Sequence, residues 1–172
     1  MLFRSAGLAW RDTDTDRWSV LGRVEHRYEK DDTQGPAIRR DVELLAVNAN
    51  YQPTKALVLT GRYAGKWVTD DPGGFESTYD AHLFATRATF ELSTRWDVGL
   101  QGSMLFSGDR EAKQHGLGLE IGHVLTKNLW LSVGYNVFGF GDDDLAGTDY
   151  TNRGGFLRLR FKFDEQLLGA LE

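Results

Sequence analysis

From residue 157 to residue 163 every odd position is apolar and every even one basic: Leu157, Leu159, Phe161 and Phe163 alternate with Arg158, Arg160 and Lys162. Strict alternation marks a strand whose two faces meet different surroundings. The same period of two runs along most of the chain. Residues 113–127 set Leu117, Leu119, Ile121 and Leu125 against Gly116, Gly118, Glu120 and Gly122, and residues 95–107 set Trp96, Val98, Leu100, Met104 and Phe106 against Asp97, Gln101 and Ser103. Leu57, Leu59, Tyr63 and Trp67 oppose Thr60, Arg62 and Lys66, and Trp18, Val20 and Val24 oppose Ser19, Arg23, Glu25 and Arg27. Residues 42–51 and 80–92 alternate less cleanly, while residues 129–140 read as apolar on both faces. These segments predict eight strands, with residues 1–11 a ninth candidate.

The connections come in two kinds that take turns. Short ones at residues 13–16, 52–54, 93–95 and 126–128 alternate with longer ones at 31–40, 70–77, 108–113 and 141–153. A transmembrane barrel sorts its connections this way, with tight turns on the periplasmic side and longer loops outside. Each strand leaving a short turn opens on a large apolar residue and soon meets glycine: Trp18 with Gly22, Leu57 with Gly61, Trp96 with Gly102, Trp130 with Gly134. The openings recur at intervals of 39, 39 and 34 residues. A period near one hairpin pair can signal a repeat architecture, but consecutive hairpins of one sheet produce it too.

The content of the two faces separates a lipid-facing from a soluble barrel. A soluble barrel places its apolar side chains inside. Here aromatic residues mark both ends of a short apolar band: Trp18, Tyr51, Trp96 and Phe163 by the short turns, Tyr28, Trp67 and Phe106 by the long loops. Two aromatic girdles are expected where rings sit at two membrane interfaces. The polar face carries Arg23, Glu25, Arg62, Lys66, Arg87, Glu91, Glu120, Arg158, Arg160 and Lys162. Charges of both signs predict a lumen of paired side chains. The expected fold is all-β, an antiparallel up-and-down transmembrane β-barrel of 8 to 9 strands, part of a larger barrel. It forms a single domain over residues 1–172, with a short C-terminal tail at 164–172.

Composition sharpens this picture. Glycine supplies 20 of 172 residues and proline only 3, so glycine is a property of the strands here and not of a Pro/Gly-rich disordered tract. Strand glycine is tolerated where a bend or a close approach needs it, as in a small barrel with bulky inward charges. The 41% hydrophobic content is too high for a solvated tail. The longest apolar runs reach four residues, at 44–47 and 56–59, far short of the ~20 a spanning helix takes. Zero cysteines exclude disulfide scaffolds and thiolate chemistry, and a net charge of −5 argues against nucleic acid as a partner.

Four stretches, TRWDVGLQG at 94–102, NLWLSVGYNVFGF at 128–140, GDDDLAGTDY at 141–150 and GFLRLRFKFDE at 155–165, together resemble the C-terminal β-barrel of large Gram-negative surface and outer-membrane proteins, of the OmpA-like and porin-like barrel superfamily. The likeness covers most of the chain from about residue 16. It implies integral outer-membrane localisation, insertion by the barrel assembly machinery, contact with outer-membrane lipids and lipopolysaccharide, and a role as membrane anchor or structural barrel, with no reaction and no cofactor. Such closing strands usually end the chain on an aromatic residue, whereas nine residues follow Phe163 here. Residues 1–10 lack the charged start, apolar core and small-residue cleavage site of a signal peptide, and nine strands break the even count of bacterial single-chain barrels. The expected partner is therefore an upstream N-terminal region of the same protein.

Other functions remain as alternatives: a small-solute porin-like channel, a rim hydrolase or protease, and a soluble ligand-binding barrel. For the rim enzyme, His26, His82 and His115 fall near the long loops, with Asp31, Asp80, Asp109 and Ser107 close in sequence. Parity puts these histidines and His123 on the apolar face, away from a lumen site where a general base meets its substrate. Asp142, Asp143, Asp144 and Asp149 form the one dense acidic cluster. As an EF-hand loop it fails, with Ala146 in a ligand place and Arg153 where the bidentate glutamate belongs. A looser divalent-cation contact through Asp142, Asp144 and Asp149 stands against a plain solvated loop.

Overall fold

The structure, a computed structural model, describes residues 2–31, 38–108, 113–139 and 153–162. Alternating sequence with short connections dictates hairpins, and hairpins place successive strands side by side and antiparallel. The first five strands are β1 (Leu2–Arg11), β2 (Trp18–Asp31), β3 (Ile38–Thr54), β4 (Leu57–Pro72) and β5 (Ser77–Glu91). They continue into β6 (Trp96–Ser107), β7 (Lys113–Thr126), β8 (Leu129–Phe138) and β9 (Gly154–Phe161). All nine form one up-and-down sheet in chain order. Among the described residues the sheet is open: β1 pairs only with β2, and β9 only with β8.

Several boundaries differ from the sequence reading. Residues 2–11 form a full strand, because β2 offers a complete ladder from Leu2↔Tyr28 to Arg11↔Ser19. The turn expected at 52–54 is strand. β3 runs on through Pro53 with a register shift between Tyr51 and Thr54, an irregularity that accommodates a residue with no N–H for the ladder. Only Lys55 and Ala56 separate β3 from β4.

The contrast in connection length also shrinks, since strands keep pairing wherever a partner remains opposite. One end of the sheet has connections at residues 12–17, 55–56, 92–95 and 127–128, the other at 32–37, 73–76, 108–112 and 139–153. Only the last is long. Gly73 and Gly74, with φ of 89° and 104°, take the left-handed conformation that tightens the β4–β5 connection.

Burial runs opposite to that of an ordinary water-soluble sheet. Along β7 and β8, Leu119, Ile121, Val133 and Tyr135 are exposed, while Glu120, Ser132 and Asn136 between them are buried. The polar face does have an apolar portion. Val42, Leu44, Ala64, Val68 and Leu83 are buried together, with Tyr79, Ala81 and Leu105 packed against them. This cluster explains the imperfect alternation of residues 42–51: β3 is apolar on its inner side too.

Candidate functional site

Directly paired residues of an antiparallel ladder share a face. The ladders β6–β7–β8–β9 align Leu100 with Leu119, Leu119 with Tyr135, and Tyr135 with Gly155, which extends one apolar face without a break. It is highly exposed, with Ile121 at 55% and Leu157 at 73%. The opposite face carries nine of the ten charges predicted to share it: Arg23, Glu25, Arg62, Lys66, Arg87, Glu91, Glu120, Arg158 and Arg160. Lys162 lies one residue beyond β9.

Glu120 organises one half of that polar face. Its side chain is 2% exposed and lies 2.6 Å from Arg87 Nη2 and 3.2 Å from Arg158 Nη1. The Ser132 hydroxyl donates to its other oxygen. Arg87 on β5 reaches β7 across β6, and Arg158 on β9 reaches it across β8. The first crossing passes over Gly99, where an added Cβ would stand 3.2 Å from the guanidinium. Glu25, also 2% exposed, pairs with Arg23 at 2.8 Å and with Arg27. A carboxylate removed from water needs such partners to stay charged. Gln101 Nε2 donates to Asn136 Oδ1 at 2.9 Å.

The aromatic residues sit at the ends of the opposite, apolar face. Trp18 and Tyr51 are cross-strand partners stacked at 4.1 Å, and Trp96 stacks on His123 at 4.2 Å near the same end. Tyr28, Trp67 and Phe106 lie toward the other end on the same face. Phe163 lies outside the described residues, as do Asp142, Asp144 and Asp149. Trp10, opposite Val20, joins the first group; its alternation with Ala9 and Arg11 was the only sequence signal for it.

Trp130 departs from the expected hairpin pattern. Trp18, Leu57 and Trp96 lie on the apolar face, but Trp130 pairs with Val124 and turns to the polar one. There its indole N–H donates to Asp97 Oδ2 at 2.5 Å, and Arg160 sits 4.6 Å from its ring centre. A half-buried carboxylate and a cation supply what an inward indole needs. Residues 129–138 alternate after all, with Trp130, Ser132, Gly134 and Asn136 inward.

All four histidines lie on the apolar face, as parity predicts. Two have carboxylate neighbours: His26 Nε2 is 2.9 Å from Asp41, and His82 Nε2 is 3.0 Å from Asp80. The Tyr63 hydroxyl lies 2.9 Å from His82 Nδ1. His82 is thus held from both sides by Asp80 and Tyr63, with Trp67 edge-on at 5.4 Å. Ser107 directs its hydroxyl to the Asp80 carbonyl at 3.2 Å and not to a histidine, so the described residues assemble no Ser–His pair there.

No family model, curated protein or solved structure matches this chain. The functional reading therefore rests on the two faces.

Proposed function

We propose that this chain is an outer-membrane β-barrel serving as the membrane anchor, or structural barrel, of a larger surface protein. The observation that carries the reading is the inversion of the sheet: Leu119 and Ile121 are exposed at 52% and 55% while Glu120 between them is 2% exposed. In water such an arrangement leaves a continuous apolar face unburied, far beyond the few hundred Å² a soluble monomer tolerates. In a bilayer the same face meets hydrocarbon. Strands of 8 to 17 residues suit a crossing that takes about 9–11 tilted residues, and aromatic rings lie toward both ends of the band.

Closure of the barrel belongs to the same proposal. β1 and β9 run in the same direction because eight antiparallel steps separate them. Antiparallel closure therefore takes an odd number of further strands, supplied by another region of the same protein. In this reading the chain is integral to the outer membrane, inserted by the barrel assembly machinery and surrounded by lipid and lipopolysaccharide. Catalysis forms no part of it.

The test is refolding. The chain should fold only in detergent or lipid and migrate differently on a gel before and after boiling. A monodisperse, detergent-free folded protein would overturn the reading. A second reading, a small-solute channel, is favoured by the polar inner face and tested by planar-bilayer conductance, where an absence of steps above background counts against it.

A further inference from the structure

The apolar face is not smooth. Register aligns Ala49, Gly61, Thr86 and Gly102 in one row across β3 to β6, and small side chains next to one another leave a trough. The row on its loop side, Tyr63, Phe84 and Met104, is large throughout. The row on its turn side starts with the stacked Trp18 and Tyr51 and with Leu59, drops to Ala88, and rises again at Leu100. Together they shape an apolar groove of about 640 Å³, whose wall is lowest at Ala88, toward the short turns.

Two of those turns flank the gap at Ala88: residues 55–56 before β4 and 92–95 after β5. Each contains a single charged residue, Lys55 and Arg95, and both are exposed. Neither side chain has an ion-pair partner among the described residues. The carboxylates next along these strands, Glu91 and Asp97, pair with each other's backbone on the polar face, and the acidic connection 12–17 joins β1 to β2, outside the span of the two bases. Leu59 lies four residues from Lys55 and Leu100 five from Arg95, about 13–17 Å of strand. Half of a bilayer's hydrocarbon core is about 15 Å, so groove and bases fit within one leaflet.

We propose that this groove seats one acyl chain of an anionic glycerophospholipid, whose phosphate lies between Lys55 and Arg95. The two turns are about two strand spacings apart, roughly 10 Å, and two long cationic side chains close that gap around one phosphate. The trough offers hydrocarbon a concave surface in which Thr86 brings the row's only hydroxyl, while the bases select charge; each Lys or Arg at an anionic lipid surface adds about fivefold. The inference rests on the anchor reading and goes beyond it, since an anchor requires surrounding lipid but no bound one.

The experiment folds the chain into vesicles of equal phosphatidylglycerol and phosphatidylcholine, releases it into mild detergent and weighs it by native mass spectrometry. One retained phosphatidylglycerol per chain is expected, with phosphatidylcholine absent. Lys55→Gln combined with Arg95→Gln should cut that preference by more than about tenfold, two losses of about fivefold each. Ala88→Phe, which fills the gap and leaves both bases in place, should abolish retention. Heat-modifiable migration reports folding of each variant separately, and if Ala88→Phe fails to fold, Gly61→Val fills the trough in its place. Equal retention of the two phospholipids, or retention unchanged in the groove-filling variant, overturns the proposal. A lipid-free dimer that Ala88→Phe dissociates would assign the groove to a second copy and overturn it too. A chain that folds without detergent overturns the anchor reading; it is titrated with dihexanoyl phosphatidylglycerol and its choline counterpart, with the same preference expected, so the two readings fail separately.

Discussion

Arg87 reaches over a glycine to grasp Glu120 two strands away, with Nη2 and Oε2 2.6 Å apart. The contact spans β5 to β7, and Arg158 makes the mirror approach from β9 at 3.2 Å. One buried carboxylate thereby ties together five consecutive strands. Replacing Glu120 by Ala leaves two guanidinium groups facing each other without their anion. Removing one partner of a buried pair costs about 3–5 kcal/mol; the arginine side chains are 21% and 25% exposed, which places the expectation near the lower end. Urea unfolding in lipid vesicles should show this loss, and a midpoint unchanged from wild type would mean that the bridge contributes nothing.

Two glycines separate crowding from plain strand propensity. A Cβ on Gly118 would collide with Asn136 Oδ1 and lie 2.7 Å from Gln101 Nε2, whereas one on Gly61 meets nothing within 4 Å. Gly118→Ala should therefore destabilise by about 1–3 kcal/mol, the usual cost of overpacking. Gly61→Ala should be neutral or stabilise by up to about 1 kcal/mol, because alanine loses less backbone entropy on folding. Comparing the two unfolding midpoints tests the pair, and equal effects would show that the inner face has room to spare at Gly118.

Much of this fold was legible in period two alone. The odd–even division of residues 157–161 and 117–122 became the two faces of β9 and β7, and parity placed all four histidines correctly. Residues 129–138 misled because Leu129, Trp130 and Leu131 are apolar in both phases. What settles the facing of Trp130 is Asp97, an indole acceptor 33 residues away, and no local pattern conveys that. The inward cluster around Val42, Leu44 and Val68 was hidden for the same reason: its members lie on different strands, and each strand alone shows only a blurred alternation. The cavity lined by Arg62 and Arg87 exists only once five ladders bring β3 to β8 into register.

The turn at residues 12–17 makes a pH prediction. Asp12 accepts from the backbone N–H groups of Asp14 at 3.1 Å and Thr15 at 3.3 Å, and from the Thr15 hydroxyl. The hydroxyl bond, followed by the backbone ones, holds its carboxyl below the ordinary value while slight burial opposes. A depressed folded pKa means that the stabilisation is fully present above the unfolded carboxylate value of about 3.9 and is lost as pH falls through the folded one. Carboxyl-carbon NMR should find Asp12 titrating below the ordinary aspartate value. In Thr15→Val, which removes the hydroxyl donor, that separation should narrow; an unchanged Asp12 titration would assign the shift elsewhere.

The decisive contrast between a lipid-facing and a water-facing sheet lies at Leu119. It is 52% exposed in the middle of β7, flanked by Leu100 and Tyr135 on the neighbouring strands. In water, a change at an exposed position without partners stays within about 0.5 kcal/mol. Facing hydrocarbon, an arginine at mid-strand costs about 2–4 kcal/mol, and less toward the ends of the strand. Leu119→Arg should therefore fold poorly into vesicles and unfold at markedly lower urea. Leu125→Arg, at the turn end of the same strand and face, should be tolerated. Equal tolerance of both substitutions would leave the apolar face without a bilayer to meet, and the anchor reading would fall with it.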